Sequence, residues 1–89
     1  MSPELSPADV LAVLQSAVAT VLEREPGSVT RETRFREDLQ ADSLALVEIF
    51  EIVEETLAPR ARPGFHIDDE DLDVLTTIGE AVDYALARL

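Results

Sequence analysis

Residues 37–51 read EDLQADSLALVEIFE, and the step at their centre organises the rest of the chain. An acidic, polar lead-in ends at Asp42 and Ser43, and a strongly apolar run studded with glutamate follows. At about 100° per residue, Leu46, Ile49, Phe50, Val53 and Leu57 share one face of a helix. Leu44, Glu48, Glu51 and Glu55 share the opposite face, with Val47 and Glu54 beside them. The spacing predicts a helix from Asp42 or Ser43 to about Leu57, with a buried aliphatic stripe and an acidic outer face. Either Asp42 or Ser43 has the short polar side chain that an N-cap needs. Ser43 has a second possible use. Unpaired N–H groups and the helix dipole favour an anion at a helix N-terminus, so a phosphodiester carried on the Ser43 oxygen would fit there.

Upstream, Ser6 is a good N-cap, Pro7 suits the first helical position, and Asp9 complements the positive end of a helix. Val10, Leu14, Ala17, Val18 and Val21 then recur at helical spacing until Pro26-Gly27, which predicts helix one over about residues 7–24. Residues 25–42 are polar, with Arg31, Arg34 and Arg36, and contain Phe35 and Leu39 as isolated apolar residues. A loop of this length is often functional, and those two side chains are expected to pin it to the core. Downstream, residues 58–64, APRARPG, form a second loop that is locally basic. Residues 68–73 suggest a short helical turn, and Thr77 with Glu80 has the spacing of a capping box. The box opens a last helix whose inner face is Ile78, Val82, Ala85 and Leu89. The expectation is an all-α four-helix bundle: three longer helices, one short third helix, and a long loop between helices one and two.

Composition narrows what such a bundle can do. Eighty-nine residues make one small domain, expected to span 1–89. A chain of this size buries only roughly 60% of its unfolded surface. With three Phe, one Tyr and no Trp, the core must be mainly aliphatic. The absence of Cys removes disulfides, thiolate metal sites and any thiol nucleophile of the polypeptide's own. A net charge of −12 repels nucleic acid and anionic membrane surfaces, and favours partners with basic patches. The first residues lack the basic and apolar regions of a signal peptide, and no apolar run approaches the ~20 residues of a membrane span, so a cytoplasmic protein is expected.

Two enzymatic or metal readings find little support. The single His, His66, and the lack of a Gly-rich elbow around Ser43 argue against a serine hydrolase. Asp69, Asp71, Asp73 and Glu80 fall in the register of a calcium-binding EF-hand loop, but Val74 stands where that loop needs Gly for its turn. No dedicated metal site is expected. The acidic face of helix two is more ambiguous. Seven acids and no base lie between residues 37 and 59. They fit either a plain solvated surface or a docking face for basic partners.

FREDLQADSLALVEIFEIVEE, residues 35–55, resembles the signature of acyl carrier proteins, in which the serine of an Asp-Ser-Leu triplet opens the second helix. IDDEDLDVLTTIGEAVDYALARL, residues 67–89, resembles the third and fourth helices of that family, so the likeness runs over nearly the whole chain. The resemblance implies a non-catalytic carrier. Ser43 would receive 4'-phosphopantetheine from coenzyme A through a phosphopantetheinyl transferase, and the arm's thiol would carry acyl groups as thioesters. Asp42 and Leu44 would belong to the transferase recognition motif. Leu44, Val47, Glu48, Glu51, Glu54 and Glu55 would form the docking face for acyl-loading ligases, synthases or acyltransferases. The carrier would be a discrete monomer acting in trans.

Gln40 stands where the family commonly has Gly, and Ala45 where an acid often follows Ser-Leu. The loop after helix two is longer than in members that serve fatty acid synthesis. These departures make polyketide or lipopeptide assembly at least as good an expectation as fatty acid synthesis. The alternatives are a discrete aminoacyl or peptidyl carrier, and an acidic protein-interaction module without a cofactor.

Overall fold

The computed structural model describes residues 5–89; the first four residues of the expected domain lie outside that range. The helices are α1 (Pro7–Leu22), α2 (Ser43–Leu57) and α3 (Ile78–Arg88), with a 3-10 segment, Asp69–Val74, before α3. Single 3-10 turns interrupt the loops at Pro26–Ser28 and Ala58–Arg60. The described residues contain no strand, only an isolated antiparallel bridge between Arg34 and Thr77. This is the all-α arrangement expected, with three longer helices and a short third one.

Local chemistry sets the helix limits. Ser6 caps α1 in a reciprocal box: Ser6 Oγ accepts from the Asp9 N–H and Asp9 accepts from the Ser6 N–H, at 3.2 and 3.0 Å. The same box, Thr77 with Glu80, opens α3. α1 ends at Leu22, two residues before the expected limit, because Glu23 turns left-handed at φ 56°. α2 has Asp42 as its N-cap, which makes Ser43 its first helical residue.

Among the described residues the buried side chains are all apolar. They are mostly aliphatic, as composition implied, with Phe35 and Phe50 packed at 5.7 Å between ring centroids. α1 contributes Val10, Leu14, Ala17 and Val18; Val21, expected on the same face, is only half-buried. α2 contributes all five of its expected inner residues, together with Ala45. From α3, Ile78, Val82 and Ala85 are buried as expected and Leu89 is partly so.

The loop of residues 25–42 is part of this core. Phe35 and Leu39 are buried as expected; Val29 and Ala41 are buried as well. Its backbone is also bonded to the start of α3. The Phe35 N–H donates to the Thr76 carbonyl at 3.0 Å, the Ile78 N–H to Thr33 at 2.9 Å, and the Gly79 N–H to Arg31 at 2.9 Å. The first N–H groups of a helix have no partner within it, and here the loop supplies two of them. Gly79 makes this approach possible: a Cβ there would lie 3.1 Å from the Arg31 carbonyl oxygen. Arg31 then reaches back along α3 to Asp83 at 3.1 Å.

The 3-10 segment is held more by side chains. Leu72 is buried. Tyr84 on α3 donates its hydroxyl to Asp71 at 2.5 Å, and the Arg88 guanidinium lies 3.7 Å from the Tyr84 ring centroid. Partial burial and the bond to Asp71 hold the Tyr84 phenol neutral to higher pH than usual.

Candidate functional site

The backbone leading to Ser43 is a compact turn. The Asp38 and Leu39 N–H groups both donate to the Arg34 carbonyl, and the Ala41 N–H donates to the Phe35 carbonyl at 2.9 Å. Asp38 closes the turn by accepting from the Arg34 N–H at 2.8 Å. That bond, with a longer one from the Arg34 guanidinium, holds the Asp38 carboxyl below the usual carboxylate range. Gln40 takes a left-handed conformation, φ 56°, which redirects the chain toward α2. The conformation suits glycine, which explains in physical terms why Gly is a natural choice at this point.

The turn delivers two adjacent residues with different tasks. Asp42 Oδ1 accepts from the Ala45 N–H at 2.8 Å, so the aspartate is the cap that sequence alone left open between it and Ser43. The Ser43 side chain is exposed and is not used for capping. Its hydroxyl lies 3.4 Å from Arg36 Nη2, a long hydrogen bond. An exposed hydroxyl on the first residue of α2, at the positive end of the dipole and beside a guanidinium, suits an attached phosphodiester.

Leu44 is 67% exposed, an uncommon display for a leucine. Glu48, Glu51 and Glu55 are exposed along the same side of α2, and Val47 is half-buried. An open groove between α1 and α2 is lined by Thr20, Val21, Glu48, Glu51, Ile52, Glu54 and Glu55. Glu54 differs from its neighbours. Its carboxylate accepts from the Ile67 N–H at 2.7 Å and lies 3.2 Å from His66 Nδ1, which ties the second loop to α2.

His66 has Asp68 on its other nitrogen, at 3.4 Å. Glu54 stands eleven residues beyond Ser43, about 16 Å along the helix, so this imidazole belongs to the other end of α2. The acids in EF-hand register diverge to separate partners: Asp71 to Tyr84 and Arg88, Asp73 to Arg36, and Glu80 to the Thr76 and Thr77 N–H groups. Among the described residues no group of three or more His, Cys, Asp or Glu could hold a metal ion.

Comparison with known proteins agrees with the geometry. Residues 12–85 match the family model described as the phosphopantetheine attachment site. The chain is also 41% identical, over 78 residues, to an acyl carrier protein of Rubrobacter xylanophilus, an overlap of 88% of this chain and 89% of that protein. The chain belongs to the acyl carrier protein family.

Its cofactor is therefore covalently bound 4'-phosphopantetheine, and its role is that of a carrier, not a catalyst. As a carrier it interacts with a phosphopantetheinyl transferase and with biosynthetic enzymes. Among its described residues no helix is long and apolar enough to cross a membrane. Sequence reasoning singled out Asp42, Ser43 and Leu44 as candidates, and did not single out Arg36. That arginine is seven positions before Ser43, and an irregular turn with a left-handed residue brings the two together.

Proposed function

We propose that Ser43 is the attachment point of the phosphopantetheine arm, and that residues 1–89 act as one discrete carrier domain delivering acyl groups in trans. The observation that carries this reading is the division of labour at the start of α2: Asp42 caps the helix and leaves the Ser43 hydroxyl exposed. Ser43 Oγ would accept the 4'-phosphopantetheinyl group of coenzyme A: the serine gives up its proton, its oxygen bonds to the phosphorus that carries pantetheine, the pyrophosphate P–O bond breaks, and 3',5'-adenosine bisphosphate leaves. The arm supplies a terminal thiol that holds acyl groups as thioesters. The chain itself has neither Cys nor Lys, its seven cationic residues all being arginine, so no side-chain thiol or amine competes with the arm for the acyl group.

Asp42 and Leu44 form the part read by the transferase. Leu44, Val47, Glu48, Glu51 and Glu55 make a docking face with an apolar tip and an acidic body, and Glu54 lies at its edge. Such a face suits basic patches on acyl-loading ligases, synthases or acyltransferases, with encounters that are fast at low salt and easily broken. A net charge of −12 favours a monomer. The setting is cytoplasmic, and the pathway is polyketide, lipopeptide or fatty acid synthesis.

Thiol titration tests the attachment directly, because the polypeptide starts with no thiol. After treatment with a phosphopantetheinyl transferase, coenzyme A and magnesium, and removal of excess reagent, the wild type should show one thiol per chain and Ser43→Ala none. A wild type that stays at zero while a control carrier is modified would remove the proposal.

A further inference from the structure

This inference deepens the reading of Ser43 and rests on it. Arg36 Nη2 lies 3.4 Å from Ser43 Oγ and 3.6 Å from Asp73 Oδ1, so one nitrogen is shared between a neutral hydroxyl and a carboxylate. Neither contact is tight. The Arg36 side chain is 51% exposed and that of Asp73 82%, and an ion pair so open to water is weakly held.

Modification of Ser43 changes the competition. It adds a full negative charge, bonded directly to the oxygen that Arg36 already touches. A planar guanidinium matches phosphate oxygens well, and a phosphodiester stays ionised throughout the physiological range. The new charge also enters an acidic neighbourhood, with Glu37, Asp38, Asp42 and Asp73 nearby in sequence or through Arg36. Arg34, the other cation on this turn, is already committed to Glu37 at 2.6 Å and to Asp38. Arg36 is the counter-charge placed to offset the phosphate.

We propose that Arg36 is a positioning residue for the prosthetic group: once Ser43 is modified, its guanidinium exchanges Asp73 for the phosphodiester and fixes the root of the arm at the N-terminus of α2. Asp73 belongs to the 3-10 segment, so the exchange removes a link between that segment and the turn before Ser43. Buried Leu72 and the Asp71–Tyr84 bond keep the segment in place. Loading is thereby registered at residue 73.

The test compares unloaded and fully loaded forms of wild type, Arg36→Gln and Arg36→Lys, with loading checked by intact mass. In the wild type, loading should move the Arg36 side-chain N–H resonance and the backbone resonance of Asp73. Loading should lower the melting temperature of Arg36→Gln below its effect on wild type by about 2–4 °C at low salt. Arg36→Lys should recover part of this difference, and about 1 M salt should shrink it. In Asp73→Asn, where Arg36 is untouched, the loaded protein should keep the wild-type phosphorus resonance; a resonance like that of loaded Arg36→Gln would count against the exchange. If Arg36→Gln lowers stability equally before and after loading, Arg36 merely ties the turn to Asp73 and the inference fails. If mass shows that the wild type takes up no phosphopantetheine, the Ser43 reading fails and this one falls with it. A loaded protein with no Arg36 dependence overturns this inference alone.

Discussion

Two irregular connections bracket α2, and they are held in different ways. Residues 25–42, which lead to Ser43, bury Val29, Phe35, Leu39 and Ala41 and exchange backbone hydrogen bonds with the start of α3. Residues 58–68, which follow α2, bury only Ile67 and leave Phe65 half-exposed. In that second connection the Ile67 and Asp68 N–H groups donate to side chains of the helices, Glu54 and Tyr84. Lack of regular secondary structure therefore says little about how firmly a segment is fixed. The connection that leads to Ser43 adds four buried residues to the core, and the one remote from it adds one.

The largest consequence of this contrast concerns the two loop phenylalanines. Phe35→Ala should cost about 3–5 kcal/mol in denaturant unfolding, because it empties a fully buried site. Phe65→Ala should cost about 1 kcal/mol or less. Equal costs would remove the distinction between the two connections. Next, Gly79→Val should cost roughly 2–3 kcal/mol, since the added carbons press on the Arg31 carbonyl and push the first loop away from α3. The same substitution should alter amide exchange around residues 31–35 and leave residues 58–68 unchanged.

Smaller effects separate the residues of the turn itself. Asp42→Ala should cost about 1 kcal/mol through the lost cap, whereas Ser43→Ala should leave the melting temperature close to that of wild type. A larger loss at Ser43 than at Asp42 would mean that the serine is the structural residue. Gln40→Gly should raise stability by up to about 1 kcal/mol, relief of a left-handed glutamine being partly offset by the greater freedom of the unfolded chain.

The smallest effect is on acid stability. Hydrogen bonds from Arg34 lower the Asp38 carboxyl and those from Ser6 lower Asp9. A carboxyl lowered in the folded state adds stability that is present above its unfolded pKa, about 3.9, and is lost as pH falls through the folded value. Asp38→Asn should thus flatten the loss of stability below about pH 4, while wild type and variant keep parallel profiles above about pH 5.

Most of the fold was legible because its signals are local. The boxes Ser6–Asp9 and Thr77–Glu80 and the apolar spacing in 46–57 each need only a few neighbouring residues to be read. Phe35 and Leu39 stood out as anchors because they are apolar in a polar segment. Val29 did not, because it follows a Pro-Gly-Ser turn that reads as exposed loop. The end of α1 was misplaced by two residues because Glu23 is a good helix former whose left-handed turn has no marker in the sequence. Asp42 and Ser43 are equally good caps by type, so only the bond to Ala45 separates them. The role of Glu54 in holding Ile67 and the contact of Arg36 with Ser43 depend on loop geometry, which periodicity does not encode.

The central claim is that Ser43 is placed to be modified. The most direct test is fragment mass spectrometry of the wild type after incubation with a phosphopantetheinyl transferase, coenzyme A and magnesium. The account predicts one phosphopantetheine per chain, located on Ser43, and no addition to Ser43→Ala. Addition at any other residue, or continued loading of Ser43→Ala, would contradict it.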